Sequence, residues 1–135
     1  MEEDSLKKWM SQVRKGSLEL CILGLIKEKD IYAFELIQEL EKIESLVLTE
    51  GTIYPLLKRL QGDELISSFW VESDNGPPRK YYKMTEKGND FFSEMEKEWT
   101  KFNQAINDIL NRSKKNDYGT RDTSKDRLIH FKIEK

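Results

Sequence analysis

After Gly62 the apolar spacing of this chain changes period, and from Thr85 it changes back. Ahead of the change, Ala33, Leu36, Ile37 and Leu40 follow the i, i+3, i+4, i+7 spacing of one buried helix face, and Ile53, Leu56, Leu57 and Leu60 repeat it. Beyond it, ELISSFWVES reads as an extended run ending in the turn-forming SDNGPP, and RKYYKM reads as a returning strand. Asn75-Gly76 tolerates positive φ, and Pro77-Pro78 stiffens the loop outside the ladder, where a missing N–H does no harm. The chain is therefore expected to be mainly α with a small β-hairpin.

Residues Ser5 to Lys27 read as a first helix, whose second half, LELCILGLI, is apolar almost all round and suits the centre of the core. A buried strand is the rival reading, but leucine outnumbers β-branched residues there, which favours helix. Asp30 is the candidate cap of the second helix. Ser45 to Leu48 is a short connection, and Thr49 caps a third helix ending near Gly62. Thr85 caps a final helix reaching about Asn111, roughly 40 Å long at 1.5 Å per residue. Phe92, Met95, Trp99, Phe102, Ile106 and Ile109 recur every three or four residues, an a/d seam along that helix. So small a domain cannot cover a seam of that length alone, and a second copy of the chain would, which predicts a homodimer. Three segments follow: 1–84 as a binding domain whose first helix also joins the dimer contact, 85–112 as the dimerisation helix, and 113–135 as a polar, flexible tail.

Composition narrows the function classes. The 135 residues suffice for one core and not two. No run of about 18 apolar residues is present to span a bilayer. MEEDSLKKWM lacks a signal pattern, so a cytoplasmic location is expected. Cys21, the single cysteine, lies in an apolar run and reads as a small hydrophobe rather than a redox group. With His130 as the single histidine, the sequence offers no His/Cys metal site, no catalytic Cys–His pair and no Gly-rich phosphate loop. Neither enzymatic activity nor a cofactor is expected.

Three helices with the third directly before a hairpin is the order of a winged helix-turn-helix, in which the third helix enters the DNA major groove and the hairpin reaches the flanking backbone. With the core side fixed by Ile53, Leu56, Leu57 and Leu60, a 100° step places Gly51, Pro55, Lys58 and Gly62 opposite, flanked by Tyr54 and Arg59. Gly51 permits close backbone approach to a phosphate, Tyr54 offers a hydroxyl, and Lys58 and Arg59 offer charge. Arg79 and Lys80 add charge on the wing, with Lys83 further along. The net charge of −2 pulls the other way. So does the stretch 49–87, where six Lys and Arg meet six Asp and Glu. A winged-helix protein-interaction module without direct DNA binding is the alternative that this acidity favours. It leaves Tyr54, Lys58 and Arg59 on one face without a reason.

The runs LTEGTIYPLLKRLQGDELISSFW and NGPPRKYYKMTEKG together closely resemble the PadR family of bacterial transcriptional regulators, over roughly residues 14–110. The resemblance implies a winged-helix homodimer, in most members a repressor of double-stranded DNA targets, with the C-terminal helix in the dimer contact. It carries Thr52, Tyr54, Lys58 and Arg59 onto the recognition-helix motif and Arg79 and Lys80 onto the wing. Pro77-Pro78 and Gln61 depart from the common pattern, and the short C-terminal region looks like the compact branch with one helix there. Some members of that branch hold flat aromatic compounds between tryptophans at the dimer interface. By that resemblance Trp99 could line a slot for a small aromatic effector, with Val13, Met95, Phe102 and Ile106 in the same interface. The simpler alternative is that Trp99 only fills the interface.

Overall fold

The computed structural model describes residues 3–43 and 50–117. Their elements run α1 (Glu3–Glu28), β1 (Ile31–Tyr32), α2 (Ala33–Glu41), α3 (Glu50–Gly62), β2 (Ile66–Val71), β3 (Arg79–Met84) and α4 (Glu86–Asp117). The chain divides into two compact units, Met1–Glu96 and Lys97–Lys135, and the division falls within α4.

In the first unit the expected apolar faces meet in one core. Leu18, Ile22, Leu23 and Ile26 come from α1, Leu36, Ile37 and Leu40 from α2, and Ile53, Leu57 and Leu60 from α3. Leu56, expected on the same face of α3, is half-buried at its edge. Among the described residues no polar or charged side chain other than Tyr82 is buried with them. Each Leu or Ile fully removed from water contributes about 1.5–3 kcal/mol. The helical reading of LELCILGLI therefore holds, and the strand alternative does not.

The sheet has one strand more than the spacing predicts. Ile31 and Tyr32 pair antiparallel with Tyr82 and Tyr81, giving the order β1-β3-β2. Ile31 enters the core in doing so. Asp30 is consequently not the cap of α2: the helix begins two residues later, with Tyr32 in extended geometry at its N-cap. The Tyr32 N–H points to the Glu35 carboxylate at 3.5 Å. Hairpin pairing runs from Ile66↔Met84 to Val71↔Arg79.

Thr85 caps α4 as expected, accepting from the Gly88 N–H at 2.9 Å. Its hydroxyl also donates to the Glu64 carbonyl at 2.6 Å, and the Lys87 ammonium donates to the Asp63 carbonyl at 3.0 Å. The first turn of α4 thus holds the turn joining α3 to β2, where Glu64 takes a left-handed φ of 63°. The helix continues past Asn111 to Asp117, into the segment expected to be tail. No glycine or proline interrupts that stretch. The remaining residues of the expected tail, 118–135, lie outside the described residues, as do the connection Ser45 to Leu48 and the cap Thr49.

In the second unit Trp99, Phe102, Ile106, Ile109 and Leu110 are exposed. The Trp99 and Phe102 rings lie 6.3 Å apart, tilted by 57°. The protein is mostly helical with a small antiparallel sheet, a winged helix-turn-helix followed by one long helix.

Candidate nucleic-acid interface

Burial of Ile53, Leu57 and Leu60 fixes the rotation of α3 about its axis. Gly51, Tyr54, Pro55, Lys58, Arg59 and Gly62 are all left exposed, as the 100° construction predicts, and so is Thr52, which only the family resemblance singles out. Pro55 sits inside the helix without ending it. The carbonyl it deprives of a partner belongs to Gly51, four residues earlier, which faces solvent in the first turn.

The two cations of α3 differ. Arg59 forms an ion pair with Glu19 of α1. Lys58 has no ion-pair partner among the described residues and is the more available charge. Glu19 was not singled out in the sequence, since no local spacing links it to a residue forty positions away.

The wing places its charges on two faces. Arg79 and Lys80 are neighbours in β3, so their side chains leave the sheet in opposite directions. The Arg79 guanidinium lies over the Tyr32 ring at 4.8 Å. That ring is 5.4 Å from Tyr81, which is itself 5.8 Å from Phe69, so an aromatic row crosses all three strands on the outer face. On the other face, Lys80 lies over Tyr82 at 5.8 Å. Burial pushes the Tyr82 hydroxyl above its ordinary pKa, and the neighbouring Tyr54 of α3 adds to the rise. Gln61 at the end of α3 donates to the Ser68 hydroxyl on that same side at 3.0 Å. Tyr54 and Lys80 are thus close to one side chain, Tyr82, whereas Arg79 belongs to the far side. Tyr32 was also not singled out in the sequence, where it reads as part of the helix following Asp30.

Of the residues expected at a dimer or ligand interface, Val13 on α1 is exposed, and so are Trp99, Phe102 and Ile106 in the second unit. Met95 is half-buried against the core of the first unit, as is Phe92. Leu6 and Trp9 lie on α1 ahead of Val13 and are exposed with it.

Little here suits other chemistry. Cys21 is half-buried, and desolvation raises its thiol pKa, so the reactive thiolate is disfavoured. The described residues hold no group of three His, Cys, Asp or Glu placed to bind a metal, and no helix long and apolar enough to cross a membrane. A shallow hollow on α2 is lined by Glu35, Gln38, Glu39, Glu41 and Lys42, an acidic surface that would repel phosphate.

Comparison with known proteins agrees with this geometry. Residues 22–94 match the transcriptional regulator PadR-like family. An uncharacterised protein of Lysinibacillus sphaericus is 36% identical over 98 residues, 71% of this chain and 90% of that protein. A PadR-like transcription factor from Bacteroides fragilis is 50% identical, with a TM-score of 0.63 over 73% of this chain and 95% of the other. A PadR-like transcriptional regulator from Bacillus cereus is 39% identical, with a TM-score of 0.68 over 73% and 96%. A PadR family transcriptional regulator from Eggerthella lenta, 26% identical, superposes with a TM-score of 0.72 over 80% and 94%. With more than half of its length matched and its helices and hairpin shared with these regulators, the chain belongs to the PadR-like family of transcriptional regulators, which are not enzymes.

Proposed function

We propose that this chain is a cytoplasmic, homodimeric repressor that binds a pseudo-palindromic operator in double-stranded DNA. The observation that carries the reading is the outward face of α3, where Tyr54, Pro55 and Lys58 are exposed on a helix seated in the core by Ile53, Leu57 and Leu60. Paired α3 helices would enter successive major grooves about one helical turn apart. Thr52, Tyr54 and Lys58 make the central contacts, with Arg59 added when it leaves Glu19, and Lys80 and Arg79 belong to the flanking wing.

Dimerisation falls to the apolar residues that a single chain leaves in water. Leu6, Trp9 and Val13 form such a stripe on α1, and Trp99, Phe102, Ile106 and Ile109 form another on α4. Residues 1–84 supply the DNA contacts, and their first helix joins 85–112 in the dimer contact. An aromatic effector seated against Trp99 and Phe102 would act by favouring one spacing of the two α3 helices over another. The protein-interaction alternative keeps the argument from charge, the net −2 of the chain and the even balance of acids and bases over 49–87.

Affinity selection of host genomic fragments by the purified protein, with a Tyr54→Ala/Lys58→Ala variant in parallel, separates the two. Enrichment of a few inverted repeats that the variant does not recover is the expected result. Equal recovery by both proteins at low salt would transfer the assignment to the protein-interaction module.

A further inference from the structure

Trp70 is the most exposed large apolar side chain among the described residues, at 66%. It stands in β2 directly across from Lys80. Alternation along β2 places it on the face that also carries Ile66, which is buried, and Ser68, which accepts from Gln61 of α3. Trp70 therefore continues the α3 side of the hairpin beyond the point where the domain's own core covers it. Along that side run Tyr54 on α3, then Tyr82, then Lys80 over the Tyr82 ring, then Trp70. Arg79, paired in register with Val71, is on the opposite face against Tyr32.

An indole left this open gains little from its own fold, and covering it would remove further apolar area from water. Its neighbours indicate what it meets. A cation lies across the strand pair from it, and the recognition helix lies along the same side, so a surface that is apolar in part and anionic in part fits both. The sugar–phosphate backbone of duplex DNA has that character: deoxyribose offers apolar carbon to the ring, and the adjoining phosphate offers charge to the ammonium.

We propose that Trp70 and Lys80 together are the wing's contact with the DNA backbone, Trp70 against deoxyribose and Lys80 on phosphate, and that Arg79 instead anchors the wing's outer face through Tyr32. This rests on the DNA-binding reading above. It adds a residue which that reading does not contain and divides the roles of the wing's two adjacent cations.

The test uses the full chain and a short labelled duplex of arbitrary sequence at low salt, since backbone contacts carry no sequence information. Binding is measured by anisotropy over a salt series. Trp70→Ala is expected to weaken binding about tenfold with an unchanged salt slope, because removing an apolar contact releases no counterion. Trp70→Phe should recover part of the loss. Lys80→Ala should weaken binding and also reduce the slope by about one per protomer. Arg79→Ala should change both less than Lys80→Ala does. Because Trp70 is mostly in water, thermal unfolding of Trp70→Ala should match the parent.

Three results overturn the proposal. If Lys58→Ala weakens binding while Trp70→Ala does not, the wing assignment is wrong and the DNA-binding reading stands. If Arg79→Ala reduces the slope as much as Lys80→Ala, the two-face division is wrong. If Trp70→Ala changes the sedimentation coefficient of the free protein, the indole belongs to a contact between copies. Should Lys58→Ala also leave affinity and slope untouched, the DNA-binding reading itself fails.

Discussion

Gly88 in the first turns of α4 meets the carbonyl oxygen of Leu65 so closely that no β-carbon fits between them. Two effects oppose each other at this position. Alanine has the better helix propensity, by about 1 kcal/mol. Against that, its methyl group would press on backbone that cannot swing aside, because the same Leu65 carbonyl accepts from the Thr85 N–H at 3.1 Å. The clash wins. Gly88→Ala is expected to lower unfolding stability by roughly 1–3 kcal/mol, the usual cost of forcing atoms into packed space. Urea unfolding of the two proteins measures it, and a variant more stable than the parent would refute the close approach.

The Arg59–Glu19 pair makes a prediction of opposite sign. Both side chains are partly exposed, so the pair contributes less than about 1 kcal/mol to folding. Its larger effect is on binding, since it occupies the guanidinium. Glu19→Gln should fold normally, bind duplex DNA more tightly at low salt, and steepen the salt slope by about one per protomer as Arg59 becomes free to reach phosphate. Arg59→Ala should reduce the slope less than Lys58→Ala does. A Glu19→Gln protein with the parent's slope would mean that Arg59 does not approach DNA.

Much of this fold could be read directly, because its periodic segments are long. The buried faces of α2 and α3 and the cap at Thr85 lie where spacing and side-chain chemistry put them. What escaped was short or distant. A strand of two residues has no period, so Ile31-Tyr32 reads as the start of a helix, and the partners that make it a strand lie on β3, fifty positions away. The end of α4 escaped for another reason, since after the apolar seam stops only the absence of a breaker argues for helix. In the candidate interface, the exposed face of α3 was legible and the engagement of Arg59 by Glu19 was not. The separation of Arg79 from Lys80 was within reach, because adjacent residues of a strand must face opposite ways.

The apolar residues of the second unit lead to a test of assembly. Ile106 is exposed in the single chain and is placed by its spacing in line with Trp99 and Phe102. If a second copy covers this row, Ile106→Glu buries an unpaired charge from each protomer, at a cost of several kcal/mol per ion. The parent is expected to sediment as a dimer and Ile106→Glu as a monomer, with operator affinity falling by at least a hundredfold as the second α3 helix is lost, about 2.8 kcal/mol. An unchanged dimer mass would move the contact away from this face of α4.

Cys21 and Tyr82 are together expected to weaken the fold at alkaline pH. Burial raises both above their ordinary values of 9.0 and 10.0, and for Tyr82 the neighbouring Tyr54 raises it further. Above pH 9 the unfolded chain therefore releases protons that the folded chain still holds, and stability falls with rising pH. The contribution is fully present below pH 9 and is lost as pH climbs through the unfolded values toward the higher folded ones. Cys21→Ala should remove the earlier part of the decline and Tyr82→Phe the later part, each measured as the difference from the parent in urea unfolding between neutral pH and about pH 11. Parent-like curves for the Cys21→Ala/Tyr82→Phe double variant would show that neither group carries the alkaline loss.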